Sequence, residues 1–191
     1  MESKKVITKI IDLYRFYGRI QGGELRITPL EHALQAAELA AADGHDNEVI
    51  AAAFLHDIGY LLMLEKTSAR LDDYTTASPE RLGADYLMNL GFPPRIGRLV
   101  GSLIQAKRYL CTIEPGYYDQ LPEQSRDSLQ WQGGVMSMDE VSEFSCRKDL
   151  EEVIALRRYD EAANEPEVAT DGLKDIEFIL HDVLSTRVEV A

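Results

Sequence analysis

The sequence predicts an all-α protein, and three observations carry that prediction. Apolar residues recur mostly at helical spacing. Helix-start signals precede several of these stretches. Only the stretch from Ser185 to the end alternates in the way that a strand does. With 191 residues, the chain has the length of one domain, so we expect a single domain over residues 1–191.

The first two predicted helices lie between residue 6 and Gly44. The first has an apolar stripe formed by Val6, Ile10, Leu13 and Tyr17. The second begins at Thr28, which is a good N-cap residue, with Pro29 at the first helical position and Glu31 completing a capping box. It is expected to end near Gly44, because glycine is common where helices stop.

The third predicted helix is the most apolar part of the chain. Asp46 is a suitable N-cap for a helix from Asn47 to about Tyr60. Its centre is apolar nearly all round, which is typical of a buried helix. We expect Gly59 to end this helix, and the polar residues from 63 to 77 to form a loop.

The second half predicts shorter helices joined by connections of several residues. Ser78 and Pro79 begin a fourth helix, which Gly91 closes. Pro94 opens a fifth, which runs to about Tyr109. The remaining expectations are a turn-rich stretch over 114–122 and helices over about 123–129, 139–145, 149–164 and 172–185.

Charge and composition exclude several partners. Twenty basic against 33 acidic residues give a net charge of −13, which opposes binding to nucleic acid or an anionic membrane. A small anion in a local basic pocket is still compatible with this charge. We find no apolar run approaching the ~18–20 residues of a membrane span. With no signal peptide, and with Cys111 and Cys146 read as reduced thiols, we expect a cytoplasmic protein.

Two of the four histidines stand out by their setting. His32 lies in the first turn of one predicted helix and His56 near the end of the next. A short turn between these helices makes them antiparallel, so the two ends meet. Asp57 adjoins His56, and an imidazole pair with a carboxylate suits iron, manganese, cobalt or zinc. We give no role to His45, which follows Gly44 in a polar turn, and we read His181 as a solvated residue.

A histidine, then a His-Asp pair, then an aspartate on successive helices resembles the HD superfamily of metal-dependent enzymes. The matching segments are 30–35 (LEHALQ), 53–59 (AFLHDIG) and 157–160 (RRYD). The resemblance implies a helical bundle with a core of about residues 28–165, on which the N-terminal and C-terminal helices pack. It also adds Asp160 as the fourth metal ligand.

Within that superfamily, the chain is similar to the organophosphonate-degrading oxygenases. These are HD proteins of about this length that use a mixed-valent pair of irons to cleave a carbon–phosphorus bond. The similar segments are residues 83–87, 90–92, 106–110 and 132–134, together with the surroundings of Arg157. The resemblance implies that Lys107 and Arg157 hold the phosphonate, and such charge-assisted bonds are suited to phosphorus oxyanions.

The chain departs from that branch at two positions. Pro79 and Leu103 stand where the oxygenases carry the two further histidines of the second iron. Neither side chain has a lone pair to donate. We therefore expect one divalent ion held by the four ligands, and no second metal. Carboxylates of Asp72, Asp73 or Glu80 are the alternative source of a second site.

Three functions stay open on the sequence. The first is a metal-dependent enzyme that acts on a small phosphonate or phosphate ester, most simply by hydrolysis, with Asp57 as the catalytic residue. The second keeps the iron-dependent oxygenase chemistry with a rebuilt second iron site. The third is a catalytically silent protein that binds phosphonate or phosphate. The sequence shows no interface pattern from which to predict an oligomeric state.

Overall fold

A computed structural model of the protein describes residues 2–18, 27–68, 78–166 and 172–186. All regular structure in these residues is helical, which confirms the predicted all-α class. The helices are α1 (Glu2–Phe16), α2 (Pro29–Ala42), α3 (Asn47–Leu55), α4 (Ile58–Ser68), α5 (Pro79–Asn89), α6 (Pro94–Val100), α7 (Leu103–Ile113), α8 (Tyr117–Gln120), α9 (Glu123–Trp131), α10 (Met138–Ser145), α11 (Leu150–Ala162) and α12 (Leu173–Thr186).

Helices α2 and α3 form the antiparallel pair that the sequence predicts. Thr28 accepts a hydrogen bond from the backbone N–H of Glu31, whose carboxylate accepts one from the backbone N–H of Thr28. Asp46 caps α3 by accepting from two backbone N–H groups. A row of alanines on α2 is buried, which lets the two helices approach closely: Ala33, Ala36, Ala37 and Ala40. The pairing brings the start of α2 beside the end of α3.

The chain turns sharply after α3, contrary to the sequence prediction. Helix α3 ends at Leu55, and a new helix begins at Ile58 and runs to Ser68. The predicted loop is therefore wrong over 63–68, while 69–77 lies outside the described residues. The pattern did not reveal this break because the residues on both sides of His56 and Asp57 are predominantly apolar. By length and composition alone the stretch Asn47–Lys66 could cross a membrane, yet 67% of its apolar window is buried, as in a core helix pair.

Gly59 does not end a helix but lets α5 approach α4. A Cβ atom on Gly59 would lie 1.8 Å from the carbonyl oxygen of Pro79, and one on Gly83 would lie 3.1 Å from the backbone nitrogen of Gly59. Two glycines thus form the contact between the helices. The contact places the first residue of α5 against Gly59, which follows Asp57 by two residues in the sequence.

The predicted helix from Pro94 to Tyr109 is two helices. Helix α6 ends at Val100, and the turn at Gly101 and Ser102 leads into α7. The hydroxyl of Ser102 donates to the carbonyl oxygen of Arg98 at 2.6 Å and so helps to terminate α6. Because the chain changes direction there, Leu103 becomes the first residue of α7.

The last helices close the structure around one apolar core. Helix α11 packs against α2, α3, α6 and α7, and α12 packs against α3 and α1. Buried apolar residues from Ile7 to Leu184 form a continuous cluster. The predicted strand-like end after Thr186 lies outside the described residues, and the single-domain boundaries of 1–191 stay a prediction.

Candidate metal centre

The two histidines that the sequence singled out meet at the ends of α2 and α3. His32 and His56 are each only 2% exposed. Their Nε2 atoms lie 3.1 Å apart, and their rings pack edge to face. His56 is the residue directly after α3, so its position depends on the turn that separates α3 from α4.

Backbone carbonyls fix the orientation of both imidazoles. Nδ1 of His32 donates to the carbonyl oxygen of Ala163 at 2.5 Å, and Nδ1 of His56 donates to that of Ala53 at 2.7 Å. Since a carbonyl oxygen only accepts, each Nδ1 carries the proton, and in the neutral ring Nε2 presents a lone pair. Two facing lone pairs need a cation or a proton between them. Such outer carbonyls are typical of histidines that bind metals.

Two carboxylates approach the same point. The Oδ1 atom of Asp160 lies 3.3 Å from Nε2 of His32 and 3.4 Å from Nε2 of His56. The corresponding distances from Oδ2 of Asp57 are 3.8 and 3.5 Å. The side chain of Asp57 is 37% exposed against 22% for Asp160, so Asp57 is on the more open side of the site.

The electrostatics show how strongly this cluster attracts positive charge. Burial alone lowers the pKa of His56, but the carboxylates of Asp57 and Asp160 outweigh it and raise that pKa to about 9. Burial alone raises the pKa of Asp160, yet hydrogen bonds from the two imidazoles and the charge of Arg157 hold it well below its usual range. Two imidazoles and two carboxylates form a donor set that fits a borderline or hard divalent metal.

The two residues expected to hold an anion lie beside this cluster. Lys107 is buried, and its Nζ donates to the Ser128 hydroxyl at 3.1 Å and to the Ser125 carbonyl at 3.3 Å. Burial, followed by repulsion from Arg157, lowers the pKa of Lys107 to about 8, while the carboxylates of Asp160 and Glu80 oppose that shift.

Arg157 is bound more firmly by the protein than the sequence suggested. Its Nη1 donates to the Oδ2 of Asp160 at 2.7 Å. Its Nε donates to the Tyr117 hydroxyl at 3.1 Å and to the Glu161 carboxylate at 3.0 Å. The Nη1 atom of Arg157 thus binds Asp160, whose other carboxylate oxygen faces the two imidazoles.

The positions expected to have lost a second metal have ordinary structural roles. Pro79 is the first residue of α5, following the N-cap Ser78. Leu103 is 7% exposed and belongs to the apolar core. Neither fits a metal, because neither offers a lone pair. Glu80 is close enough to Lys107 to raise its pKa, and Asp72 and Asp73 lie outside the described residues.

Several residues near the site had no role in the sequence analysis. Glu161 and Tyr117 contact Arg157, and Ser125 and Ser128 contact Lys107. The spacing of Arg157 and Glu161, four residues apart on a helix, was the available signal. Among the described residues, Oε1 of Gln132 is the buried side-chain oxygen that lacks a hydrogen-bond partner.

Comparisons with known proteins identify the relatives of this chain. A scan against protein-family models finds no match. A (1-hydroxy-2-(trimethylamino)ethyl)phosphonate dioxygenase of Leisingera caerulea, described as glycine-betaine-forming, is 39% identical over 144 residues, covering 75% of this chain and 72% of the relative. A hydroxymethylphosphonate dioxygenase of Gimesia maris is 34% identical over 157 residues, covering 82% and 77%.

A viral protein is similar to the same degree. The uncharacterized protein L432 of Acanthamoeba polyphaga mimivirus is 38% identical over 156 residues, covering 81% of this chain and 71% of the relative. The name of this viral protein states no activity. Each of the three alignments spans most of both partners at more than 30% identity. The chain therefore belongs to the family that contains these phosphonate dioxygenases.

Proposed function

We propose that this chain is a metal-dependent enzyme of the HD superfamily that acts on a small phosphonate, and that oxidative cleavage of the carbon–phosphorus bond is its reaction. The observation that supports the proposal is that carboxylate oxygens of Asp57 and Asp160 lie 3.3–3.8 Å from the Nε2 atoms of His32 and His56, in a relative of two phosphonate dioxygenases. This ranks oxygenation above the hydrolysis that the sequence alone put first.

The names of the two dioxygenases suggest the substrate class. Both substrates are phosphonates with a hydroxyl on the carbon that is bonded to phosphorus. Dioxygen would convert such a compound to a carboxylate and phosphate. The carbon–phosphorus bond breaks, both atoms of dioxygen enter the products as dioxygen is reduced, and a proton is released. We propose a small 1-hydroxyphosphonate as the substrate.

The residues of the cluster divide the work. We propose His32, His56, Asp57 and Asp160 as metal ligands. A redox-active metal such as iron supplies the dioxygen chemistry when it is bound. Lys107 holds the phosphonate oxyanion, and Arg157 neutralises the outer side of Asp160. Asp57, as the more exposed carboxylate, is the group that can accept the proton of the substrate hydroxyl.

Hydrolysis is the second candidate, and a specific observation favours it. Pro79 and Leu103 offer no ligands, so among the described residues the four proposed ligands would account for one metal. A single divalent ion is sufficient for hydrolysis of a phosphate ester, because it polarises a phosphoryl oxygen and lowers the pKa of water.

On the same charge and cysteine arguments as above, we propose a cytoplasmic enzyme without nucleic-acid or membrane partners.

Dioxygen consumption separates the candidates. Protein purified without oxygen and loaded with ferrous iron would be mixed with hydroxymethylphosphonate, and dioxygen uptake and phosphate release would be followed together. We expect both to proceed in equal amounts, and both to vanish in His56→Ala. Release of phosphate from p-nitrophenyl phosphate by the manganese or cobalt form without oxygen would assign hydrolysis instead. Binding of hydroxymethylphosphonate without turnover in either assay would assign a silent binding protein.

A further inference from the structure

A chain of alternating charges leads from the surface to Asp160. Helix α11 contributes most of it, through Arg157, Arg158, Asp160 and Glu161. The Oε1 atom of Glu161 accepts from Nε and Nη2 of Arg157, each at 3.0 Å, and also from the hydroxyl of Tyr117. Nη1 of the same guanidinium donates to Asp160. Arg157 is thus held between two carboxylates.

We propose that Glu161 and Tyr117 are positioning residues of the metal centre, which act by holding the Arg157 guanidinium against the outer oxygen of Asp160. The inference rests on the metal site of the proposed function and not on the reaction that takes place there. Arg157, Glu161 and Tyr117 are not among the proposed metal ligands, so they would act on the metal through Asp160.

The geometry of arginine explains why this arrangement positions a ligand. The guanidinium is a rigid plane whose N–H groups point in fixed directions. When one edge is bound to Glu161 and Tyr117, the direction of Nη1 toward Asp160 is set as well. The Arg157 side chain is only 12% exposed, so water offers little competition. With Oδ2 of Asp160 engaged, Oδ1 is left facing the two imidazoles.

Removal of Glu161 should therefore act at a distance. Arg157 would lose the carboxylate that binds its Nε and Nη2, and its guanidinium could then turn relative to Asp160. The Asp160 carboxylate would then rotate more freely and would present its oxygen less often to the metal. Outer residues that orient metal ligands typically change metal affinity by about 10–100-fold, and a residue acting through one further side chain should lie near the lower end.

The neighbouring pair of Arg158 and Glu114 offers a matched control. Arg158 donates to Glu114 and to Glu161, and its guanidinium lies over the Tyr117 ring. The two side chains are 39% and 41% exposed, and the Glu114 carboxylate forms its ion pair with Arg158. Glu114→Gln removes one carboxylate charge at the outer end of this network. It acts on Glu161 and Tyr117 through Arg158, and it leaves the contacts of Arg157 with Glu161, Tyr117 and Asp160 in place.

The test is the affinity of the protein for cobalt, measured by the visible absorption of the bound ion. We expect Glu161→Gln to weaken binding about tenfold, at the lower end of outer-residue effects, Tyr117→Phe to weaken it less, and Glu114→Gln to leave it within a factor of about two. Thermal unfolding of the metal-free proteins reports stability separately. If Glu161→Gln does not fold, the cobalt affinities of Tyr117→Phe and Glu114→Gln are compared instead. Weaker binding in Tyr117→Phe than in Glu114→Gln supports the proposal, and equal binding contradicts it.

A double-variant cycle distinguishes positioning from a general structural role. Arg157→Met should weaken cobalt binding at least as much as Glu161→Gln, and Glu161→Gln should add nothing in the Arg157→Met protein. Additive losses, an unchanged affinity of folded Glu161→Gln, or an equal loss in Glu114→Gln would overturn the inference. If the unmodified protein does not bind cobalt, the metal centre of the proposed function fails and this inference fails with it.

Discussion

Two regions border the site and have opposite characters. On one side, α2, the end of α3 and α11 supply polar side chains that are fixed by other polar groups: each imidazole donates to a backbone carbonyl, and Asp160 accepts from Arg157. On the other side, α5 begins with Pro79 and α7 with Leu103. Neither side chain offers a lone pair, and Leu103 belongs to the apolar core. The comparison teaches that the ends of neighbouring helices can carry either polar residues that form a site or residues that serve packing.

The difference follows from what each position must satisfy. A buried imidazole needs partners for both ring nitrogens, so its position is stable only within a polar network. Pro79 needs nothing of that kind, because a proline at the first helical position lacks only an N–H that would have no helical partner. Leu103 is stabilised by the removal of its apolar surface from water.

The largest expected effect comes from removing a proposed metal ligand on the polar side. His56→Ala and Asp57→Ala should each lower metal affinity by more than the ~10–100-fold that is typical of outer residues, because a donor atom itself is lost. The fold should survive, since the apolar core does not depend on either side chain. Metal content after purification, measured by mass spectrometry, and thermal unfolding check the two parts.

His181→Ala serves as the control for this experiment. His181 is exposed on α12, far along the chain from the cluster, and its ring contacts Ser185. We expect unchanged metal content for that variant. Full metal content in either His56→Ala or Asp57→Ala would show that the HD assignment is wrong.

The polar side was predictable from sequence to a large extent, for a physical reason. The capped starts of α2 and α3 and the short turn between them fix which ends meet, and this brings His32 to His56. Adjacent residues on one continuous helix would point about 100° apart. The turn between Leu55 and Ile58 removes that restriction. Apolar periodicity does not reveal this turn, because residues 58–64 are again mostly apolar.

The apolar side and the outer network needed the three-dimensional structure. The contact of Gly59 with Pro79 joins residues from different helices, and periodicity carries no information about such pairs. Arg157 was read as an anion clamp, but a tertiary contact with Tyr117 and an ion pair with Asp160, three residues along the same helix, give it further partners. Asp160 itself came from the family resemblance, since an aspartate on a helix is common.

The second prediction concerns Lys107, which lies between the two regions. Its pKa of about 8 in the folded protein means that the ammonium loses its proton as pH rises above 8. Sulfate, whose charge is constant over this range, should bind more weakly above that pH. Lys107→Met should lower sulfate affinity about 10–100-fold at pH 7, as expected for losing a charged hydrogen bond, and should abolish the decline above pH 8. Calorimetric titration measures both.

The same pKa affects stability in the opposite direction: sulfate affinity should fall as pH rises above 8, whereas stability should rise. The ordinary pKa of lysine, 10.5, applies to the unfolded chain, so between pH 8 and 10.5 the unfolded state binds more protons than the folded state. The contribution of Lys107 to stability therefore improves as pH rises through this window.

The control for the sulfate titration is Lys148→Met, at an exposed position, which should change neither sulfate affinity nor its pH dependence. A Lys107→Met protein that binds sulfate normally would remove Lys107 from the anion site.

The smallest expected effect is a gain on the apolar side. Histidines placed at both Pro79 and Leu103 should raise the number of bound metal ions from one toward two, because the first turn of α5 already lies beside Gly59 and thus close to Asp57. The second ion should bind weakly, since nothing in α5 or α7 was selected to orient the new rings. Without metal, the buried histidine at position 103 should lower stability by about 1–3 kcal/mol, the cost of an unsatisfied polar group.

Leu103→Ala separates the loss of packing from the gain of a ligand. It also leaves space at the start of α7, but it adds no lone pair, so it should lower thermal stability and leave the metal count at one. If the double-histidine protein also binds one ion, the two helix starts do not face a common metal position. The opposite surprise would come from the unmodified protein. Two ions about 3.5–4 Å apart, the usual spacing in two-metal sites, would mean that Asp72, Asp73 or Glu80 supplies the ligands that Pro79 and Leu103 lack, and the apolar side would then be only one wall of a rebuilt second site.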